Sequence, residues 1–391
     1  MKFLSAITLF LLSVCLNVNA QVAVTAVPFL EIRPDAQTNM NAGALVALPS
    51  DYNAAFYYNP AQLGNFGASK NFSYQFHPNG NNWLPDLNDN PRLYNSSLAA
   101  GYKFNDVPLS IGVGVMNTRF DYGEIQYSDP NNPMPDSTYN PVENYQLYSI
   151  GLRYDFGIWV SIGYSFKKID SDLGLYQAKV DANDFGIQIG YPFSINSFKA
   201  EASIGYALQN DGDFIQYDAS GRPDPLPRKS IFGYGLSLAY EDIIAGNSME
   251  LVKIDWAVDA KDLRIDVHGN SVSYNKKPGI IPMLDNVFLS KSDDDIEISQ
   301  GFRLHILEGF TAGLGRYYGP GYRKAVNTSG VSLSAKPILK LLFSKNEHPV
   351  IRSVANHLDF SYSWSTYSVN ETDHPLTGSS FHQFSISVYG F

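Results

Sequence analysis

The residues through which a chain most often does chemistry are present here but do not assemble. Seven histidines, His77, His268, His305, His348, His357, His374 and His382, are scattered through 391 residues. None forms an HExxH or an i, i+4 pair, the spacing that sets two imidazoles on one helical face. Cys15 is the single cysteine, so zinc-finger spacings are absent. The one acidic run, Asp293-Asp294-Asp295, lacks the alternate spacing and the glycine of a calcium loop. There is no Gly-x-Ser-x-Gly elbow and no Walker box. The expectation is no catalytic residue, no metal ligand, no cofactor and no enzyme. A barrel hydrolase assembled in space from Ser, His and acid groups has no motif in its favour.

The notable charges sit among small residues. Arg153, Lys199, Glu201, Lys253, Asp255 and Asp359 share parity with Gly, Ser and Ala, opposite large apolar side chains. In SIFGYGLSLAY, residues 230–240, Phe232, Tyr234, Leu236, Leu238 and Tyr240 alternate with Ile231, Gly233, Gly235, Ser237 and Ala239. Successive side chains of a strand point to opposite faces, so this is a strand with a greasy side and a thin side. The pattern recurs at 158–166, 185–191, 202–208, 252–258 and 358–364. Such alternation over about eight to eleven residues suits a tilted strand crossing a bilayer.

Strands are expected near 71–77, 96–104, 108–117, 145–154, 157–166, 184–191, 197–208, 230–241, 250–260, 295–304, 308–317, 329–335, 357–366 and 381–391. Long connections (78–95, 118–144, 167–183, 209–229, 261–294) alternate with short ones. Outer-membrane barrels show this asymmetry of extracellular loops and periplasmic turns. Residues 336–356 break the rule: a long segment stands where a short periplasmic turn belongs. Ile338, Leu339, Leu341, Leu342 and Phe343 among its lysines suggest a periplasmic helix or bulky turn. A propeller or sandwich also alternates, but its outer face would be polar. The expected fold is all-β: a transmembrane outer-membrane barrel of about fourteen antiparallel strands with an N-terminal plug. Its greasy face meets lipid. The inward charges either line a solute path or form a lumen-filling network, since buried charges must pair.

Composition agrees. There are 26 Tyr, 24 Phe and 31 Gly, and charged residues make up only 17%. The formal net charge of −10 disfavours nucleic acid as a partner. Lys2, the apolar run Phe3 to Leu16 and Val18-Asn19-Ala20 read as a cleaved signal peptide. The expected organisation is a signal peptide at 1–20, a plug or hatch at 21–66 and a barrel at 67–391. Tyr389 and the terminal Phe391 are expected to serve as an insertion signal, as at the end of many outer-membrane barrels.

Two N-terminal stretches carry a resemblance. Ala42 to Gly67, AGALVALPSDYNAAFYYNPAQLGNFG, resembles the hatch of the fatty-acid-transporter-like barrels, with Tyr58-Asn59-Pro60-Ala61 and Leu63 matching an aromatic-Asn-Pro-Ala-x-x-Leu-like box. Val27-Pro28-Phe29-Leu30 followed by Pro34-Asp35-Ala36 resembles the PorV/PorQ family of type IX secretion outer-membrane proteins. Gln37 to Gly43 departs from the family's glycine-rich run, and Tyr58 replaces a common tryptophan. The resemblance implies a plugged barrel in the outer-membrane lipid that binds secreted cargo through a C-terminal sorting domain and associates with the translocon and attachment machinery. Recognition would then fall to loops 118–144 and 261–294. It also implies plug or partner contact for Val27, Pro28, Phe29, Leu30, Asn59 and Pro60. The other expectation is a passive transporter of hydrophobic small molecules, which would need an apolar pocket running from the loops into the lumen.

Overall fold

The computed structural model describes residues 25–85, 91–129, 132–218, 221–244, 246–268, 271–275, 277, 279–322, 324–371 and 374–390. Residues 1–20, expected to be a signal peptide, and Phe391 lie outside the described residues. Fifteen segments form one sheet, and the first two, Phe72–Phe76 and Asn81–Asn82, both lie between the same neighbours. They are the halves of one interrupted strand, so the wall has fourteen strands. It closes where Phe72 pairs with Val388. Closure leaves no unpaired edge, which a spanning sheet requires because lipid offers backbone groups no partner.

In chain order the strands are β1 (Phe72–Phe76, resumed at Asn81–Asn82), β2 (Arg92–Lys103), β3 (Leu109–Asp121), β4 (Val142–Asp155), β5 (Trp159–Asp172), β6 (Gln177–Ile195) and β7 (Phe198–Gly212). They continue with β8 (Lys229–Ile244), β9 (Asn247–Leu263), β10 (Ile296–Ile306), β11 (Phe310–Tyr318), β12 (Val326–Ser334), β13 (Leu358–Val369) and β14 (Ser380–Val388). Every pairing between neighbours is antiparallel. Each expected strand is present. Several outgrow the membrane: β6 runs for 19 residues. The expected long loop 167–183 is therefore mostly strand, closed by a turn at 173–176. Likewise 118–144 contains a hairpin of Ile125–Asp129 with Asn132–Tyr139.

Two features depart from simple alternation. Helix α3 (Ile280–Leu289), in the connection 264–295, lies against the outside of the wall. Val258, expected to face lipid, is buried beneath it with Ala260 and Ile298. The segment 336–356 forms two helices, α4 (Lys336–Phe343) and α5 (Pro349–His357), at the periplasmic end, and each begins with a proline in its first turn.

The thin face has a definite use. Cross-strand register aligns Gly101, Gly112, Gly151, Gly163 and Gly186 in one row across β2 to β6. Gly205 pairs with Gly233, Gly301 with Gly315 and Gly313 with Gly330. These glycines admit the N-terminal segment. A Cβ on Gly151 would stand 2.7 Å from Gly64 N, and one on Gly330 would stand 2.8 Å from the Met40 side chain. Cβ atoms on Gly112, Gly163 and Gly205 would clash with the backbone of Leu63, Pro60 and Val46. The barrel thus holds its plug main chain against main chain.

Candidate functional site

The plug enters the described structure at the extracellular end, where Ala26 N donates to Pro225 O at 2.9 Å. It leaves at the periplasmic end, where Asn71 N donates to Val388 O at 3.0 Å. Between these points lie a one-turn 3-10 helix (Pro28–Glu31), α1 (Ala36–Asn39), a second 3-10 helix (Asn53–Tyr57) and α2 (Gln62–Ser69). Asp35 caps α1 by accepting from Thr38 N at 2.9 Å, satisfying one of the unpaired donors at a helix start.

Towards its extracellular end the lumen combines an apolar cluster with buried ion pairs, among them Lys167 with Asp184 at 3.2 Å. Val27, Phe29 and Leu30 are buried among Phe120, Tyr145, Ile169, Tyr317, Tyr367 and Phe381 from the wall. Phe29 and Tyr145 approach at 5.6 Å between ring centroids, and Tyr57 stacks on Tyr145 at 6.0 Å. Tyr57 Oη donates to Leu30 O at 2.6 Å. Pro28 alone of the four nominated residues in this turn is exposed.

Further ion pairs lie beside the cluster, with Lys229, Lys261 and Glu297 at the extracellular ends of β8, β9 and β10. Glu31 accepts from Lys229 at 2.8 Å and Lys261 at 3.0 Å. Lys261 reaches Glu297 at 2.8 Å, and Arg33 reaches the same carboxylate at 3.2 Å while lying 4.0 Å over the Tyr317 ring. Asp259 accepts from Leu45 N at 2.8 Å and Val46 N at 2.9 Å. These groups border an internal cavity of about 40 Å³, room for one or two waters. Burial would raise the Glu31 carboxyl, but Lys229 and Lys261 hold it at about 2. Asp35 has no comparable cation, and burial raises it to about 6 against its bonds to Thr38.

The inward charges read from the sequence fill space. Asp255 is held by Arg303 at 3.1 Å, His305 at 2.9 Å and Ser237 at 2.6 Å. Arg153 pairs with Asp155 at 2.7 Å, donates to Asn65 at 3.0 Å and lies 4.5 Å over Trp159, whose Nε1 donates to Glu201. Asp359 accepts from Ser334 and from Lys336 N. Lys199 pairs with Glu241 and is half-exposed. Lys253 stands 3.7 Å from Asp255. Among the described residues, no group of three His, Cys, Asp or Glu could hold a metal.

Asn59 and Pro60 make contacts of a different kind from those of Val27–Leu30. Asn59 Nδ2 donates to Val46 O at 2.7 Å, its Oδ1 accepts from Ala61 N at 3.0 Å, and Pro60 rests on Gly163. Tyr389 is turned toward Lys336 and Lys70, which lie 4.2 and 5.2 Å over its ring. It follows the parity of inward Ser385 and Ser387, not that of the lipid-facing Phe384. Sequence reading missed Glu31, Arg33, Asp259, Lys261 and Glu297. Extending the odd parity of Lys253 and Asp255 would have reached Asp259 and Lys261.

Behind the plug's Asn-Pro turn the wall is one backbone thick. Outside it, Ile150, Leu152, Ile162, Tyr164, Phe185 and Ile187 frame an apolar depression of about 480 Å³ with Gly151, Gly163 and Gly186 at its floor.

A closed fourteen-stranded wall, an apolar outer belt and a chain-filled lumen define a plugged outer-membrane β-barrel. No family model matches the sequence, and no curated protein does. Solved structures similar to it include a FadL homologue of Pseudomonas aeruginosa (11% identity, 91% of this chain and 98% of that chain, TM-score 0.40). Others are the toluene transporter TodX of Pseudomonas putida (10%, 90% and 97%, TM-score 0.40) and the toluene transporter TbuX of Ralstonia pickettii (11%, 92% and 98%, TM-score 0.39). At such scores the fold rests on the strand pairing of this chain itself.

Proposed function

We propose that this barrel binds hydrophobic small molecules and passes them across the outer membrane, with the chamber around Phe29 and Leu30 as the binding site. One observation carries the reading: towards the extracellular end of the lumen the plug turn and the wall share a cluster of aromatic and aliphatic side chains, with buried ion pairs beside it. Apolar ligand sites are concave and lined mostly by such side chains, with a small number of placed polar groups. The four-residue turn Pro28–Glu31 fills the chamber together with Tyr57. Val27, at its head, has a left-handed backbone with φ 54°, which strains a β-branched residue by about 1–2 kcal/mol. A turn under strain, packed in a greasy chamber, is suited to yield its place to a ligand. The outer depression at Gly163 offers apolar molecules a resting place in the wall.

A second reading, a component of type IX secretion, draws on Val27–Leu30 and Pro34–Ala36 and on a lumen filled from end to end. One comparison separates them. The barrel is purified from native outer membranes in mild detergent, tagged in an extracellular loop, and analysed by mass spectrometry with toluene and a medium-chain fatty acid added. Retention of an apolar ligand that Phe29→Trp abolishes supports transport. Recovery of a very large barrel subunit with exported proteins sharing a C-terminal sorting domain, and no ligand, overturns it in favour of secretion.

A further inference from the structure

Helix α3 belongs to an extracellular connection, yet it does not cover the lumen. Met283 and Val287 are fully buried against Val258 and Ile298, outward positions of β9 and β10. Its other side is bare: Ile281, Phe288 and Leu289 are 83%, 62% and 73% exposed. A soluble surface rarely leaves three large apolar side chains together on one short helix.

The neighbours of the helix say what covers it. Phe288 stacks on Tyr234 at 5.8 Å with ring planes 12° apart, and Tyr234 meets Trp256 edge-on at 5.5 Å. Trp256 pairs across the sheet with Leu236 and Phe302, and all three are exposed on the outer wall. The apolar face of α3 therefore continues the lipid-facing belt without a polar gap. Polar chain resumes beyond its end, at Lys291 and Asp293–Asp295. Asp285 is the only charge on the helix, so headgroup attraction is not what would hold it. We propose that α3 is an in-plane helix seated in the outer leaflet, with Ile281, Phe288 and Leu289 among the acyl chains. The helix widens the footprint of the barrel on one side and fixes how deep that side sits.

The test places a polarity-sensitive NBD label at Ile281→Cys or Leu289→Cys, with Asp294→Cys as a rim control, in the full protein reconstituted in phospholipid vesicles. The chain has only Cys15, so the unsubstituted protein gives the labelling background. Retained heat-modifiable migration on gels establishes that each variant is folded. At 281 and 289, blue-shifted emission is expected, with quenching by acyl-chain nitroxide several-fold stronger than at 294 and weak quenching by iodide. Water-like emission with strong iodide quenching at both positions would overturn the proposal. So would shielding from both quenchers, which would mean that protein, not lipid, covers the helix.

Discussion

Pro60 lies against Gly163 so closely that no side chain fits between them. The contact joins a plug turn to the middle of the wall, with Ala61 and Asn59 in similar contact beside it. Any Cβ at position 163 must move the plug or bend β5. Gly163→Val is expected to destabilise the folded barrel by at least about 1–3 kcal/mol, the usual scale of overpacking. Ile162→Val, one residue along and facing lipid, is expected to change little. Denaturant titration of the heat-modifiable folded form compares the two. Equal midpoints would mean that the plug is not seated on the wall.

Asn59 and Asp259 each satisfy buried plug backbone. Asn59→Ala leaves Ala61 N without its partner and Val46 O with Gln188 alone, and Asp259→Ala leaves Leu45 N and Val46 N without theirs. Unmet buried groups cost about 1–3 kcal/mol each. Both substitutions are expected to lower the unfolding midpoint and raise ion conductance in planar bilayers as the plug loosens. Midpoints that fall while conductance stays at background would place the damage in the wall instead.

Glu31 and Asp35 give opposite pH dependences. The Glu31 carboxyl lies below its ordinary 4.5, at about 2, because of Lys229 and Lys261. The folded state thus binds this proton more weakly than the unfolded state, and the stabilisation is present above pH 4.5 and lost as pH falls toward 2. Glu31→Gln is expected to be less stable than wild type at neutral pH, with the gap closing on acidification. The Asp35 carboxyl is raised to about 6, so its contribution is lost as pH rises through 6. Asp35→Asn is expected to remove that loss. Unfolding midpoints measured from pH 3 to pH 8 check both signs, and parallel curves for wild type and either variant would refute the assignment for that residue.

Phe29 fills much of the apolar chamber. Phe29→Ala is expected to destabilise the plug by about 3–5 kcal/mol, the range for a large core side chain replaced by alanine. The space left is apolar, so added toluene is expected to recover part of the lost thermal stability in Phe29→Ala and little in wild type. Equal shifts in both would place toluene outside the chamber.

The wall was legible in the sequence because membrane strands repeat a two-residue period wherever one face meets lipid. Tyr234 and Leu236 announce themselves, and so does the length asymmetry of the connections. Strand ends were harder to place. Beyond the bilayer, β5 and β6 no longer need a greasy face, so their extracellular parts read as loop. Helix α3 was hidden because Ile280–Leu289 is apolar on several sides and packs outside the wall, where Val258 by parity should meet lipid. The glycine row was visible strand by strand but not as a row. Gly112, Gly151 and Gly163 align only through register across strands, which a single period cannot reveal. Asp255 was read from parity, yet its bond to Arg303 depends on β9 lying beside β10, with a loop of 32 residues between them.

The plug runs through the barrel from Ala26, beside an extracellular loop, to Asn71 at the periplasmic seam. A finished cylinder offers no way in for such a strand of chain, because the glycine row leaves no clearance around it. The wall closes around this core through the joint between Phe72 and Val388, residues from opposite ends of the wall. Ala36 N donates to Gln383 on the closing strand at 3.0 Å, tying core to joint. The N-terminal segment is then a mandrel as well as a stopper. Substitutions that spoil its fit would show themselves first as barrels that never close, before any question of what passes through them.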